Sequence, residues 1–102
     1  MANDKYTSDL YEQLKDNEFA AEYLKATLTD YEDFTDLALG LKDVIEVRGG
    51  VTNVAKQSGI ERSHLYKILR AETVPGIDTL NAICNAVNLS LSIEPLEEKE
   101  AA

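Results

Sequence analysis

The chain lacks most of the covalent and rigid devices that small proteins use to hold a shape. It has one cysteine, Cys84, so no internal disulfide can form and noncovalent burial must hold it together. It has no tryptophan, and its two prolines, Pro75 and Pro95, leave long stretches free of helix breakers. No apolar run approaches the roughly 20 residues that a membrane-spanning helix needs. The opening MANDKYTSD lacks a basic start followed by an apolar stretch, so no secretory signal is visible and the cytoplasm is the expected location. The single histidine, His64, has no second His or Cys at metal-ligand spacing, and there is no phosphate-cradling glycine loop. The expectation is a protein that is not an enzyme and has neither a metal nor a cofactor.

What is present is a soluble composition, with 44% hydrophobic and 28% charged residues in 102. That length suits one small domain with terminal extensions. The net charge of -9 is unevenly divided. Residues 1 to 50 carry twelve acids against five bases, whereas residues 51 to 71 carry Lys56, Arg62, Lys67 and Arg70 against Glu61 alone, or +3. The last ten residues return to -3. A basic stripe between acidic ends is compatible with binding a polyanion.

Apolar spacing predicts an all-α chain. Thr7 or Ser8 can cap a short helix through about Lys15 with Leu10, Tyr11 and Leu14 on one side. Asn17 can cap a second, Glu18 to about Thr27, whose stripe is Phe19, Ala20, Tyr23, Leu24 and Leu28. Thr29 or Asp30 can start a third running to about Arg48, with Phe34, Leu37, Leu41, Val44 and Ile45 inward and Gly49-Gly50 as its end. Pro75 and Gly76 interrupt the chain again before a last helix capped by Asp78 and carrying Leu80, Ile83 and Val87, with Asn88 as a left-handed terminator. Cys84 falls among those residues and reads as a core side chain. Leu89 to Ile93 alternates with period 2, which predicts a short strand, either paired with another chain or lying as an extended tail on its own domain. The resulting division is a helical extension over 1–29, a core domain over 30–93 and an acidic disordered tail over 94–102.

The most informative stretch is Thr52 to Arg70, TNVAKQSGIERSHLYKILR, which reads as two short helices joined at Gly59, a helix-turn-helix. Val54 and Ala55 give the first helix, capped by Thr52, a buried face, and Ala55 is small enough for a close crossing. Ile60 plugs the angle. In the second helix Leu65, Ile68 and Leu69 form the inward stripe. Arg62, Ser63, Tyr66, Lys67 and Arg70 then fall on the opposite face, where they can reach phosphates and base edges if the helix lies in a major groove. His64 also faces solvent or DNA.

Three segments carry a wider resemblance: FAAEYLKATL, LALGLKDVIEVRGGVTNVAKQSGIERSHLYKILR and GIDTLNAICNAVNLSLSI. Over residues 17–93 the chain resembles the HigA-like antitoxins, the group of probable addiction module antidote proteins, within the lambda-repressor-like (Xre) superfamily. Its most specific parts are EYL at Glu22 to Leu24, RGG at Arg48 to Gly50 and SHLYKIL around Tyr66. The resemblance implies a lambda-repressor-like domain of five to six helices. It implies a homodimer that represses its own operon and binds and neutralises a RelE-like toxin. By position it places base contacts on Arg62, Ser63, Tyr66 and Lys67, and phosphate contacts on Thr52, Asn53 and Arg70. One departure is Glu61, which stands at the recognition-helix cap where the family usually offers a small polar residue.

Two other functions fit the same residues. One is a phage-type or metabolic Xre regulator with no toxin, and the other is a protein-interaction module that has kept the helices but lost DNA affinity, which the acidic balance and Glu61 would favour.

Overall fold

A computed structural model describes residues 4–30 and 32–96. Among the described residues there are six helices and no strand: α1 Asp4–Gln13, α2 Asn17–Asp30, α3 Phe34–Val47, α4 Val51–Ser58, α5 Arg62–Leu69 and α6 Ile77–Ala86. The all-α expectation therefore holds. The inward stripes read from the sequence meet in one core, in which Leu14, Ala20 and Leu24 of the N-terminal part are buried together with Leu41, Val44, Ile45, Val54, Leu65, Ile68 and Ile83. α3 is the central element, packing against α1, α2, α4 and α5, while α6 closes over α4. Gly40 permits the closest part of this packing: a Cβ there would stand 3.2 Å from both Thr27 Oγ1 and Cγ2 on α2.

The helix starts differ from the expected ones for identifiable reasons. α1 begins at Asp4, ahead of Thr7 and Ser8. α2 is capped by Asp16, whose carboxylate accepts the Phe19 N–H at 2.8 Å. The side chain of Asn17 is not free to do so, because its Oδ1 accepts from Arg48 Nη2. α2 continues to Asp30 because Thr29 bonds inward, its hydroxyl donating to the Lys25 carbonyl at 2.8 Å, instead of capping the next helix. Asp33 caps α3 and accepts the Thr35 N–H at 2.8 Å. At α4 and α6 the N-caps are Gly50 and Gly76, with Thr52 and Asp78 one residue inside the first turn. Asn88 does take the left-handed conformation at φ +68°.

The expected strand is absent among the described residues. Leu89 to Leu96 has no regular secondary structure. Leu89 and Leu91 are half-buried and Ile93 is 99% exposed, so the three do not share one buried face. The segment lies along α2, where Leu24, Lys25 and Leu28 line one wall of a groove and Leu89, Leu91 and Glu94 the other. Lys25 Nζ meets Glu94 Oε2 at 2.6 Å. A helical domain offers this stretch no sheet edge, so it follows the helix that its leucines can cover. The part of the acidic tail from residue 97 onward lies outside the described residues.

Three polar side chains tie the helices together. The Arg48 guanidinium donates from Nε to the Val87 carbonyl at 2.9 Å and from Nη1 to the carbonyls of Leu14 and Lys15 at 3.1 and 3.2 Å. Those acceptors are the orphan carbonyls at the C-terminal ends of α6 and α1, and Arg48 itself caps α3. The hydroxyls of Tyr11 and Tyr23 converge on α3: Tyr11 donates to Glu46 at 2.7 Å and lies 3.3 Å from Asp43 Oδ1, and Tyr23 donates to Asp43 Oδ2 at 2.8 Å. The hydrogen bond to Glu46, then burial and the charge of Asp43, hold the Tyr11 phenol above the usual tyrosine range.

Replacing Arg48 by Met keeps its bulk but leaves the ends of α1 and α6 and the Asn17 amide without their shared donor. The loss expected in denaturant unfolding is about 2–3 kcal/mol. Ala71, at φ +61°, bears the cost of a left-handed backbone that glycine avoids, so Ala71→Gly should stabilise the fold by roughly 0.5–1 kcal/mol in the same measurement.

Candidate nucleic-acid interface

The pair α4–α5 is built as its spacing demands. Val54 and Ala55 are buried against the rest of the domain, and α4 ends at Gly59 in the left-handed conformation, φ +78°, its N–H bonding back to the Ala55 carbonyl at 3.0 Å. Ser58 stiffens the turn, its hydroxyl donating to the Ala55 carbonyl at 3.3 Å and accepting the Ile60 N–H at 3.2 Å. Ile60 is half-buried and packs against the core between the two helices. Leu65, Ile68 and Leu69 are buried, which fixes the roll of α5 about its axis.

That roll decides what solvent meets. Arg62, Ser63, His64, Tyr66 and Lys67 are all exposed on α5. The Arg62 guanidinium lies 5.6 Å from the centroid of the Tyr66 ring, so the cation and the aromatic face form one unit. Ser63 and Lys67 line a shallow concavity with Glu61, His64, Glu72 and Thr73 on one flank of the helix. The four residues expected to read bases are thus brought onto one helix surface. Thr52 and Asn53 are exposed on a different element, the first turn of α4. The first intrahelical bond there runs from the Val54 N–H to the Gly50 carbonyl at 3.0 Å, so the N–H groups of residues 51, 52 and 53 have no partner within the helix and no side-chain cap. Such a terminus favours an anion.

Arg70 differs from the others in being engaged already. It follows α5 as its C-cap, and its Nε donates to Glu72 Oε2 at 2.7 Å. Glu61 supplies the N-cap of α5 with extended backbone but makes no capping hydrogen bond, leaving a carboxylate beside the base-facing group. Residue patterns did not single out Glu72 as part of the site, nor Arg48 as the residue that joins the ends of α1 and α6. Arg48 could be seen in the sequence only as the start of RGG.

Cys84 is buried, and burial pushes its thiol up, away from the reactive thiolate. Among the described residues no helix is long and apolar enough to cross a membrane.

No curated protein and no solved structure matches the chain significantly. The model of one family, described as probable addiction module antidote protein, matches residues 5–95, a span that takes in all of α2 to α6. The chain therefore belongs to the family of probable addiction module antidote proteins.

Proposed function

We propose that the protein is the antitoxin of a type II toxin–antitoxin pair, which binds and neutralises a RelE-like toxin and represses their shared promoter through a helix-turn-helix formed by α4 and α5. The observation that carries the DNA half of this reading is the composition of the exposed α5 face. Arg62, Ser63, Tyr66 and Lys67 stand together on a helix whose other side is locked in the core. Arg62 supplies a two-pronged donor suited to guanine, Ser63 and Lys67 donate to base or phosphate oxygens, and the Tyr66 ring braces the guanidinium. Thr52, Asn53 and the free N–H groups of the α4 terminus suit a backbone phosphate, as does Arg70. One such unit reads only a half-site, so the active species in this reading is a homodimer with recognition helices one DNA turn, about 34 Å, apart.

The toxin half rests on membership in the antidote family. In this reading the protein works in the cytoplasm, without enzymatic activity, cofactor or metal. The acidic residues of the N-terminal half, such as the exposed Glu12, Glu18 and Glu22, suit a basic partner. A second reading, an interaction module without DNA affinity, draws on one observation: the uncapped Glu61 carboxylate at the start of α5 would be repelled by phosphate.

Footprinting on the DNA upstream of its own gene, with and without the product of the adjacent small gene, separates the two. A protected palindrome altered by that product supports the antitoxin–repressor. A stable complex of the two proteins with no protection at low salt would leave only the interaction. Within the DNA-binding reading, Arg62→Ala should cost on the order of 1–3 kcal/mol and relax base preference, whereas Arg70→Ala should weaken all sequences alike. Equal losses from both at every site would defeat these roles. Glu61→Ser supplies the missing cap and removes the misplaced charge. It should raise stability by about 0.5–1 kcal/mol in denaturant unfolding and also tighten DNA binding in a filter or anisotropy assay.

A further inference from the structure

The chain leaves α5 through a closed reversal. Ala71 takes the left-handed conformation at φ +61°, and two bonds lock the turn: the Ala71 N–H to the Ile68 carbonyl at 3.0 Å and the Glu72 N–H to the Lys67 carbonyl at 2.8 Å. Residues two apart along a helix do not face each other. Here the reversal brings the second back onto the first, so that Glu72 grips Arg70 with both oxygens, Nε to Oε2 at 2.7 Å and Nη2 to Oε1 at 3.4 Å. This is the fork that a guanidinium offers to carboxylate or phosphate, and one edge serves one partner at a time. The hydrogen bond from Arg70 keeps the Glu72 carboxyl below its ordinary range, so it is ionised at neutral pH. Both side chains are exposed, with about half their surface open to solvent, so an incoming phosphate can compete for that edge.

We infer that Glu72 is an internal stand-in for phosphate, which occupies Arg70 in the unbound protein and sets DNA affinity below what the cations of α4 and α5 would otherwise give. This rests on the DNA-binding reading above. In binding, a backbone phosphate must displace the carboxylate, so the gain from Arg70 is offset by the pair it loses. The displaced Glu72 is left beside a polyanion and gathers a counterion, which makes the salt dependence shallower. Glu72 thus works chiefly through Arg70, with a weaker pull on the neighbouring Lys67, as a brake on every DNA sequence alike. A carboxylate that merely lies near the DNA would weaken binding whether or not Arg70 were present.

Four proteins decide it: the natural chain, Arg70→Ala, Glu72→Gln and the double variant. Each is titrated by fluorescence anisotropy against a duplex carrying the region upstream of its own gene and against a random-sequence duplex, over a salt series, with circular dichroism confirming equal helicity. Glu72→Gln should tighten both duplexes by roughly three- to tenfold near 0.1 M salt and steepen the logarithmic salt slope by about one. Arg70→Ala should cost about twofold in the natural chain but about fivefold or more once Glu72 is Gln. An equal Arg70→Ala loss in both backgrounds overturns the inference and leaves the function standing. Equal affinity of the natural chain for the two duplexes unseats sequence-specific repression, while the random duplex alone still decides the role of Glu72. If none of the four binds either duplex at low salt, the DNA-binding reading fails and Glu72 has no brake to apply.

Discussion

The fold depends on one guanidinium. Helices end with carbonyls that nothing inside the helix can satisfy, and in this small protein the ends of α1 and α6 meet at the Arg48 guanidinium, while the Arg48 backbone N–H closes α3 onto the Val44 carbonyl. A single planar cation with five donors can serve several carbonyls at once, which a lysine's point charge cannot do with the same geometry. It also places positive charge at the negative poles of helix dipoles. The same side chain reaches Asn17 at the start of α2, so four of the six helices are referenced to it. Gly49 and Gly50 then redirect the chain at once into α4, and the Gly50 N–H returns to the Ile45 carbonyl at 2.7 Å. The candidate interface is therefore aimed from the point at which the core is tied.

How far this could be read from the sequence depended on whether a signal was local. The apolar stripes of α2 to α6 are periodic and were legible residue by residue, because burial on one face leaves a mark every three or four positions. The outward set on α5 followed by subtraction. Once Leu65, Ile68 and Leu69 are inside, the exposure of Arg62, Ser63, Tyr66 and Lys67 is fixed. The caps were less legible, since Asp16 and Asn17, or Thr29, Asp30 and Asp33, are equally good candidates on paper. The choice was made by bonds that a residue pattern does not display: Arg48 engages Asn17 from 31 residues away, and Thr29 turns back on its own helix.

The two largest misses share a cause. Period-2 alternation at Leu89 to Ile93 reports side-chain faces but says nothing about whether a sheet edge exists to pair with, and here the neighbour is a helix. The Arg70–Glu72 pair was hidden because its geometry requires a left-handed residue between the two, and alanine carries no signal for that conformation. A glycine at 71 would have announced the reversal.

The burial of Leu14, with none of its surface exposed, has a thermodynamic corollary. Because it shares one core with Leu65 and Ile68, the first helix cannot lift away without disturbing the support under α5. The docking of α1 and the presentation of α5 are then linked functions. A molecule that drew the N-terminal helices out of this core would change the free energy of anything coupled to it at α5, and by reciprocity occupancy at α5 would then change the affinity at α1 by the same factor.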